Sequence, residues 1–268
     1  MKIVAFDSGI GGLTALAPIL RKYPSVHLTY FGDLANLPYG TKSPEAIHSL
    51  TQKNLRWLLG PKGLGEDADL AVIACNTASA FAADLMESFP IPVVGVIEPG
   101  CRAAEMLKAP RIVVLATSST VNSGAYLKTL SALGIGKTVI SKACPLFVPL
   151  VEENLHLTPA AEWIARHYLD GVLHPGDAVI LGCTHYPFMV PLLQRIYPQV
   201  HFIDAGAALI QEPRVREMLS SADSKTVPAD FVPLRMVFSD LISESRLDSM
   251  VAAMGLAYLK RSLEVVRT

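Results

Sequence analysis

The segment AVIACNT at residues 71–77 and the segment AVILGCTH at residues 178–185 are near-copies of one short stretch. Each is an apolar run that ends in a cysteine, Cys75 or Cys183, followed by small polar residues. A continuous apolar run of this length predicts a strand that is buried on both faces of a parallel sheet. In open α/β sheets, ligands bind at the carboxyl ends of the strands. The repeated stretch therefore predicts two similar halves, each presenting one thiol from the tip of a central strand.

The rest of the chain alternates predicted strands with predicted helices, which is typical of a parallel α/β fold. Besides the two cysteine runs, we expect strands at residues 2–6, 27–31, 92–97, 111–116, 138–141 and 201–203. We expect helices at residues 13–22, 44–59 (with Ser43 as the N-cap), 78–88, 124–133, 159–169, 191–197, from 207 onward and at 243–265. Residues 98–100, 117–120, 144–149 and 220–232 are expected to be irregular.

Composition narrows the class of protein. The chain has 268 residues, of which 51% are hydrophobic and 18% charged, so a large core is available. The formal net charge is −1 and the sequence pI is about 6.7, so no basic excess indicates a nucleic-acid partner. These values favour a protein that acts on small molecules, with no nucleic-acid partner.

The segment MKIVAF at residues 1–6 reaches Asp7 too soon to be a signal peptide, and no apolar run is long enough for a membrane span. We therefore expect a cytoplasmic protein with reduced cysteines and no membrane partner. Cys101 and Cys144 are interpreted as small buried hydrophobic residues. Cys75 and Cys183 are set apart by their repeated context.

The segment DSGIGG at residues 7–12 lies between the first predicted strand and the first predicted helix. Its glycines allow close approach of the backbone to a ligand, and the following helix N-terminus offers free N–H groups to an anion. The segment lacks the G-x-G-x-x-G pattern because residue 14 is Thr, so we predict no dinucleotide site.

Six ordered blocks carry a family resemblance: FDSGIGGL at residues 6–13, YFGD at 30–33, PYGTKS at 38–43, ACNTAS at 74–79, VIEP at 96–99 and GCTHYP at 182–187. Together they resemble the glutamate racemases, the cofactor-independent members of the aspartate/glutamate racemase superfamily. The match runs from the N-terminus to about residue 206. The chain departs from the family pattern at Leu34, Asn36 and Ala116, and it matches poorly after Ala229.

The resemblance implies an α/β fold with two pseudo-symmetric, doubly wound domains, mainly parallel sheets and an active site in the cleft between the domains. We place the first domain at residues 1–97 plus 208–268 and the second at residues 98–207. The resemblance also implies interconversion of L- and D-glutamate, which supplies D-glutamate for peptidoglycan, and a homodimer.

Site residues follow from the same resemblance. It implies that Cys75 and Cys183 are the two acid/base thiols, that Asp7 and His185 assist them, and that Glu152 is a further acidic residue near the site. The adjacent Glu153 is the alternative candidate for this acidic residue. The positions expected to hold the carboxylates and the amine of the substrate are Asp7, Ser8, Tyr39, Gly40, Asn76, Thr77, Thr184 and His185.

The chemistry of racemisation explains why two thiols are suitable. A proton leaves one face of the α-carbon and another returns to the opposite face, so two groups on opposite sides suffice. A free thiol has a pKa of about 8.5, and a helix N-terminus lowers it, so both roles are accessible. We hypothesise that Asp7 and His185 move protons to and from Cys75 and Cys183, respectively.

Few Arg or Lys residues occur in the predicted loops, so Ser, Thr, Asn and backbone N–H groups are expected to bind the substrate carboxylates. Cys183 and His185 could ligate zinc, but Cys75 is the one obvious third ligand, and we expect no metal. No lysine stands in a recognisable pyridoxal-phosphate context, and we expect no cofactor.

Two alternatives remain open. The chain could be a racemase of aspartate or a related amino acid from the same superfamily, although His185 after Cys-Thr favours glutamate. It could also be a non-catalytic homologue that binds an amino acid and regulates a partner. The presence of both cysteines, Asp7 and His185 argues against that reading.

Overall fold

The structure is a computed structural model that describes residues 1–135, 138–221 and 231–266. Its strands are β1 Lys2–Asp7, β2 His27–Gly32, β3 Leu70–Ile73, β4 Val93–Gly95, β5 Arg111–Ala116, β6 Thr138–Ala143, β7 Ala178–Gly182, β8 His201–Asp204, β9 Leu234–Phe238 and β10 Arg261–Val265. Its α-helices are α1 Leu13–Lys22, α2 Pro44–Leu59, α3 Asn76–Ala80, α4 Ile97–Met106, α5 Ser118–Ser123, α6 Ala125–Ala132, α7 Phe147–Glu152, α8 Pro159–Leu169, α9 Val190–Ile196, α10 Pro213–Ser220 and α11 Glu244–Ala253. Short 3-10 turns lie at Leu34–Asn36, Tyr39–Thr41, Tyr186–Met189 and Ala207–Gln211.

Two parallel sheets share one strand order. The first sheet runs β10-β9-β2-β1-β3-β4 and the second runs β6-β5-β7-β8. The order β2-β1-β3-β4 corresponds strand for strand to β6-β5-β7-β8, and the paired strands are parallel in both. Each cysteine of the repeated stretch follows the strand that comes third along the chain in its half, β3 for Cys75 and β7 for Cys183. The prediction of two similar α/β halves is therefore confirmed, with β9 and β10 extending the first sheet beyond β2.

The first sheet takes its strands from both ends of the chain, and the second takes them from the middle. This arrangement has the discontinuity expected of a first domain at residues 1–97 plus 208–268. The precise boundaries stay a prediction.

Alternation along the central strands explains why both sheets are covered on two faces. In β1, Ile3 belongs to one apolar cluster, packed by α1 and α11, whereas Val4 belongs to another, packed by α2. In β5, Val113 and Ile112 are likewise divided between two clusters. Because successive side chains of a strand point to opposite faces, a strand covered on both sides reads as a continuous apolar run.

The first half contains helices whose ends match their sequence signals. Helix α2 begins where expected, because the Ser43 hydroxyl accepts a hydrogen bond from the Ala46 N–H at 3.3 Å and Pro44 occupies the first turn. The predicted helix at residues 78–88 is shorter than expected and is confined to Asn76–Ala80. The predicted strand at residues 92–97 ends at Gly95, and helix α4 begins at Ile97 in place of the expected loop. Pro99 is compatible with this helix because it lies in the first turn, where its missing N–H costs nothing.

In the second half, the predicted helix at residues 124–133 is preceded by a separate helix, α5. Gly124, at φ +66°, separates it from α6. The predicted loop at residues 144–149 contains the start of α7, at Phe147.

At the C-terminus, the prediction of one helix over residues 243–265 is wrong. Helix α11 ends at Ala253, Gly255 turns the chain at φ +70°, and residues Arg261–Val265 form β10 against β9. Strand β9 was not predicted. The irregular stretch expected at residues 220–232 lies largely outside the described residues. None of the helices within the described ranges combines the length and apolar character needed to cross a bilayer.

Candidate active site

A cavity of about 490 Å³ lies at the carboxyl ends of the central strands of both sheets. Every residue predicted from the sequence to act on or bind the substrate lines it, except Asp7. The lining residues are Ser8, Leu37, Pro38, Tyr39, Gly40, Thr41, Cys75, Asn76 and Thr77 from the first half, and Thr117, Pro145, Leu146, Val148, Pro149, Glu152, Glu153, Cys183, Thr184 and His185 from the second. The structure therefore brings the two thiols to one site.

Cys75 lies just beyond β3 and caps helix α3. Its Sγ accepts a hydrogen bond from the Ala78 N–H at 3.4 Å and donates one to the Ser8 Oγ at 3.7 Å. Burial, and next the charge of Asp7, raise the pKa of the Cys75 thiol to about 12. The helix N–H lowers this pKa as expected, but burial outweighs it. In these surroundings Cys75 is a thiol and not a thiolate at neutral pH.

Asp7 is the last residue of β1 and is fully buried behind the cavity wall. Its Oδ1 accepts a hydrogen bond from the Gly9 N–H at 2.8 Å, and its Oδ2 accepts one from the Thr184 hydroxyl of the other half at 3.3 Å. Burial raises the pKa of the Asp7 carboxyl, and the neighbouring His185 and backbone N–H groups offset this only in part. Gly12 is required here, because a Cβ at that position would lie 2.5 Å from the Asp7 Cβ.

His185 lies beside Cys183, with its Nδ1 3.9 Å from the Cys183 Sγ. Its Nε2 contacts the Oε1 of Glu152, the last residue of α7. Burial lowers the pKa of the His185 imidazole, but the hydrogen bond and charge of Cys183 and the charge of Asp7 outweigh burial, so its pKa lies above the ordinary value. If Nε2 carries a proton towards Glu152, Nδ1 is free to exchange a proton with the thiol.

Glu152 and its neighbour Glu153 are now distinguished by position. Both line the cavity, but Glu153 is exposed and Glu152 is half-buried against His185. The structure therefore places Glu152, and not Glu153, in contact with His185.

Tyr39 lines the cavity but turns its hydroxyl away from it. The hydroxyl donates to the Asp33 Oδ2 at 2.6 Å. The buried Asp33 carboxylate also accepts hydrogen bonds from the Asn54 amide at 3.1 Å and from the Ser239 hydroxyl at 2.9 Å, and it contacts the Asn36 amide. Asp33 thus anchors the turn that carries Tyr39 and Gly40, a role that sequence reasoning did not assign.

Three threonine hydroxyls join the two halves at the cavity. The Oγ1 of Thr77 lies 3.0 Å from that of Thr117 and 3.0 Å from that of Thr120, which lie 2.9 Å from each other. Thr117 and Thr120 were not predicted as site residues. A signal was available for Thr117, because it directly follows β5 and caps the next helix, as Cys75 caps the helix after β3. Gly40 packs against Thr117 so closely that a Cβ would lie 2.6 Å away.

Among the described residues that line the cavity there is no lysine or arginine. Besides the two thiols, His185 and the carboxyl groups of Glu152 and Glu153, its polar lining residues carry hydroxyl groups and the Asn76 amide. Such groups bind carboxylates when several N–H and O–H donors converge.

Comparison with known proteins identifies the family. Residues 11–212 match the family model described as Asp/Glu/Hydantoin racemase. The glutamate racemase of Aquifex aeolicus is 45% identical over 210 residues, which cover 78% of this chain and 80% of that protein. The glutamate racemase of Persephonella marina is 40% identical over 249 residues, which cover 90% of this chain and 93% of that protein.

Solved structures of glutamate racemases have a similar fold. The crystal structure of glutamate racemase from Francisella tularensis in complex with D-glutamate has a TM-score of 0.83 and 30% identity, and the match covers 99% of this chain and 97% of that one. The chain is therefore an isomerase that belongs to the Asp/Glu/Hydantoin racemase family. Within that family its resemblance to the glutamate racemases is confirmed.

Proposed function

We propose that the chain interconverts L- and D-glutamate without a cofactor, using Cys75 and Cys183 as acid/base groups on opposite faces of the α-carbon. The observation that carries this proposal is the shared cavity: each thiol follows the third strand of its half, and both line one space of about 490 Å³. Two groups that approach from the two halves can reach opposite faces of a substrate held between them.

In each turnover the two cysteines together gain one proton and lose one. One cysteine, as thiolate, removes the α-proton and becomes a thiol. The other, as thiol, gives its proton to the opposite face and becomes a thiolate. Because burial raises the pKa of Cys75 to about 12, its thiolate needs a nearby positive charge. The α-ammonium group of the bound substrate supplies one, which lowers the pKa of Cys75 so that its thiolate can form, and Asp7 accepts the proton that the thiol gives up.

Asp7 and His185 assist different thiols in this scheme. The Asp7 carboxyl has a raised pKa, which brings it closer to that of a thiol and makes it a better proton acceptor from the Cys75 side. His185, 3.9 Å from Cys183, exchanges a proton with that thiol, and Glu152 holds the opposite edge of the ring.

Binding of the two substrate carboxylates is assigned to neutral donors. Ser8, Asn76, Thr77 and Thr184 line the cavity, and the backbone around Gly40 approaches it closely. We propose that these groups hold the carboxylates and the amine, with Thr117 as an addition to the set predicted from the sequence.

Glutamate is favoured over aspartate because the Francisella relative was crystallised with D-glutamate and because His185 stands after Cys183-Thr184. We further propose that the product supplies D-glutamate for peptidoglycan, that the enzyme is cytoplasmic, and that it acts as a homodimer. The domain boundaries at residues 97/98 and 207/208 belong to the same proposal.

The deciding experiment is α-proton exchange in D2O. Purified protein, without added cofactor, is incubated with L-glutamate and separately with L-aspartate, while deuterium uptake and optical rotation are followed. Exchange with loss of rotation for glutamate alone is the expected result. Activity on aspartate instead would move the assignment to the aspartate branch. No exchange with either substrate, combined with binding of glutamate, would support the non-catalytic alternative.

A further inference from the structure

The side-chain contacts that begin at Cys183 and His185 continue beyond Glu152. The second carboxylate oxygen of Glu152, Oε2, forms an ion pair with the guanidinium of Arg246. Arg246 lies on α11, in the C-terminal segment that matches the family pattern poorly. We propose that Arg246 is a positioning residue for racemisation, which holds the Glu152 carboxylate against His185 and so sets the acid/base state of the Cys183 side.

The contacts of Glu152 link Arg246 to His185. Glu152 has one oxygen on the His185 Nε2 and the other on Arg246, so both ends of its carboxylate are occupied. His185 in turn has Nδ1 towards Cys183. The four side chains form a continuous series of contacts from α11 to the Cys183 sulfur. A carboxylate fixed at both oxygens fixes the ring that it contacts, and the partner of a reactive imidazole sets which nitrogen carries the proton.

The surroundings of Glu152 disfavour an unpaired negative charge. Glu152 is the last residue of α7, where the carbonyl groups at the end of the helix disfavour a negative side chain. Its side chain is 13% exposed, so water compensates it little, and the guanidinium of Arg246 provides the missing positive charge. The titratable and charged groups that face His185 are Cys183, Asp7 and Glu152, with Arg246 behind Glu152.

The Glu152–Arg246 ion pair joins the two halves of the molecule. Arg246 belongs to the helix that packs on the six-stranded sheet, whereas Glu152 follows the four-stranded half. The ion pairs Arg111–Asp177 and Arg235–Glu264 each stay within one half. A second cavity of about 300 Å³ opens beside Glu152 and Arg246, so a carboxylate released by Arg246 has space to turn away from His185.

The test uses the full chain and rests on the proposed racemase function. Arg246→Gln removes the charge, Arg246→Lys retains it, and Glu152→Gln provides the background for a double-mutant cycle. Arg261→Gln is the matched control, because Arg261 forms an ion pair with Asp248 on the same helix α11 and lies outside the Glu152 contacts.

Arg246→Gln is expected to lower kcat about ten-fold with little change in KM, as for loss of a residue that orients a reacting group through another. Arg246→Lys should recover most of that loss. In the Glu152→Gln background Arg246→Gln should have no further effect, because the residue that it positions has lost its charge. Arg261→Gln should change kcat/KM by less than about two-fold, as for a surface ion pair.

A readout independent of turnover is the titration of the His185 ring by NMR. Loss of the Glu152 contact removes a group that stabilises the imidazolium, so Arg246→Gln should lower the apparent pKa of His185, and Arg261→Gln should not. Equal values in both variants, a higher value in Arg246→Gln, or a kinetic loss that persists in the Glu152→Gln background would overturn the proposal. If the unmodified protein fails to racemise glutamate, the proposed function fails, and the His185 titration still decides the role of Arg246.

Discussion

The Cys75 side and the Cys183 side of the cavity share a scaffold but not a set of partners. Both cysteines follow the third strand of a sheet with the same strand order. Cys75 contacts a hydroxyl and a backbone N–H and lies in the field of a buried carboxylate. Cys183 lies beside an imidazole that contacts Glu152.

This difference shows how a duplicated fold can serve an asymmetric task. Backbone symmetry brings two thiols to one cavity, and in the proposed mechanism local side chains give each thiol its own route for protons. Asp7 connects the two sides, because its carboxylate raises the pKa of both Cys75 and His185 and accepts a hydrogen bond from Thr184.

Replacing either thiol should have the largest effect. Cys75→Ser and Cys183→Ser should each lower racemisation by about 10³-fold or more, because a hydroxyl cannot replace a thiol as an acid/base group of suitable pKa. Each variant keeps one thiol, so each should exchange the α-proton of only one enantiomer with D2O, and the two variants should favour opposite enantiomers. The measurement is deuterium uptake into L- and D-glutamate separately.

Preference of both variants for the same enantiomer would contradict thiols on opposite faces. Retention of racemisation by either variant would contradict the two-thiol mechanism itself. Glutamate binding, measured by calorimetry, should persist in both and serves as the control for folding.

Removing the charge of Asp7 should have an effect of intermediate size: it should slow racemisation and speed the alkylation of Cys75. Asp7→Asn should lower racemisation about 10²-fold through loss of a proton acceptor. The negative charge of Asp7 raises the pKa of Cys75, so its removal should lower that pKa and increase the thiolate fraction at any pH below about 12. Iodoacetamide should therefore alkylate Cys75 faster in the variant, as measured by peptide mapping.

Cys101 provides an internal control in the same digest, because burial and the charge of Glu98, and not Asp7, raise the pKa of its thiol to about 12. Its alkylation rate should be unchanged in Asp7→Asn. An unchanged or slower reaction at Cys75 would contradict electrostatic coupling between Asp7 and this thiol.

Loosening the turn around Tyr39 should have the smallest effect, on binding and not on chemistry. Asp33→Asn replaces one acceptor oxygen of the buried network with a donor, and each Asp33 oxygen accepts from at least two side chains, so at least two partners lose an acceptor. We expect KM for glutamate to rise about ten-fold with kcat nearly constant, since such a loss costs about 1–3 kcal/mol.

Asp240→Asn is the matched control, because Asp240 is exposed and adjacent to Ser239 in the chain. Steady-state kinetics should show no change in that variant. A fall in kcat without a rise in KM for Asp33→Asn would indicate that Asp33 acts on the thiols and not on the binding turn.

The elements that could be predicted from the sequence are those that depend on local patterns. The apolar runs before Cys75 and Cys183, the glycine-rich turn after β1 and the Ser43-Pro44 helix start each depend on neighbours in the chain, and the structure agrees with them. The helix expected over residues 243–265 failed because pairing of β10 with β9, remote in sequence, determines that Arg261–Val265 is a strand. Long-range pairing leaves no local signature when the residues can form either element.

Short windows of the amino-acid sequence are enough to establish the α/β class, the duplication and the pair of cysteines, because strand burial and turn chemistry depend on neighbouring residues. The folded chain was needed to show that Glu152 contacts His185, that Thr117 and Thr120 contact Thr77, and that Arg246 contacts Glu152. These contacts join segments that are far apart in the chain. Their energies depend on burial and on the position of opposing charges, which exist only once the two halves have packed together.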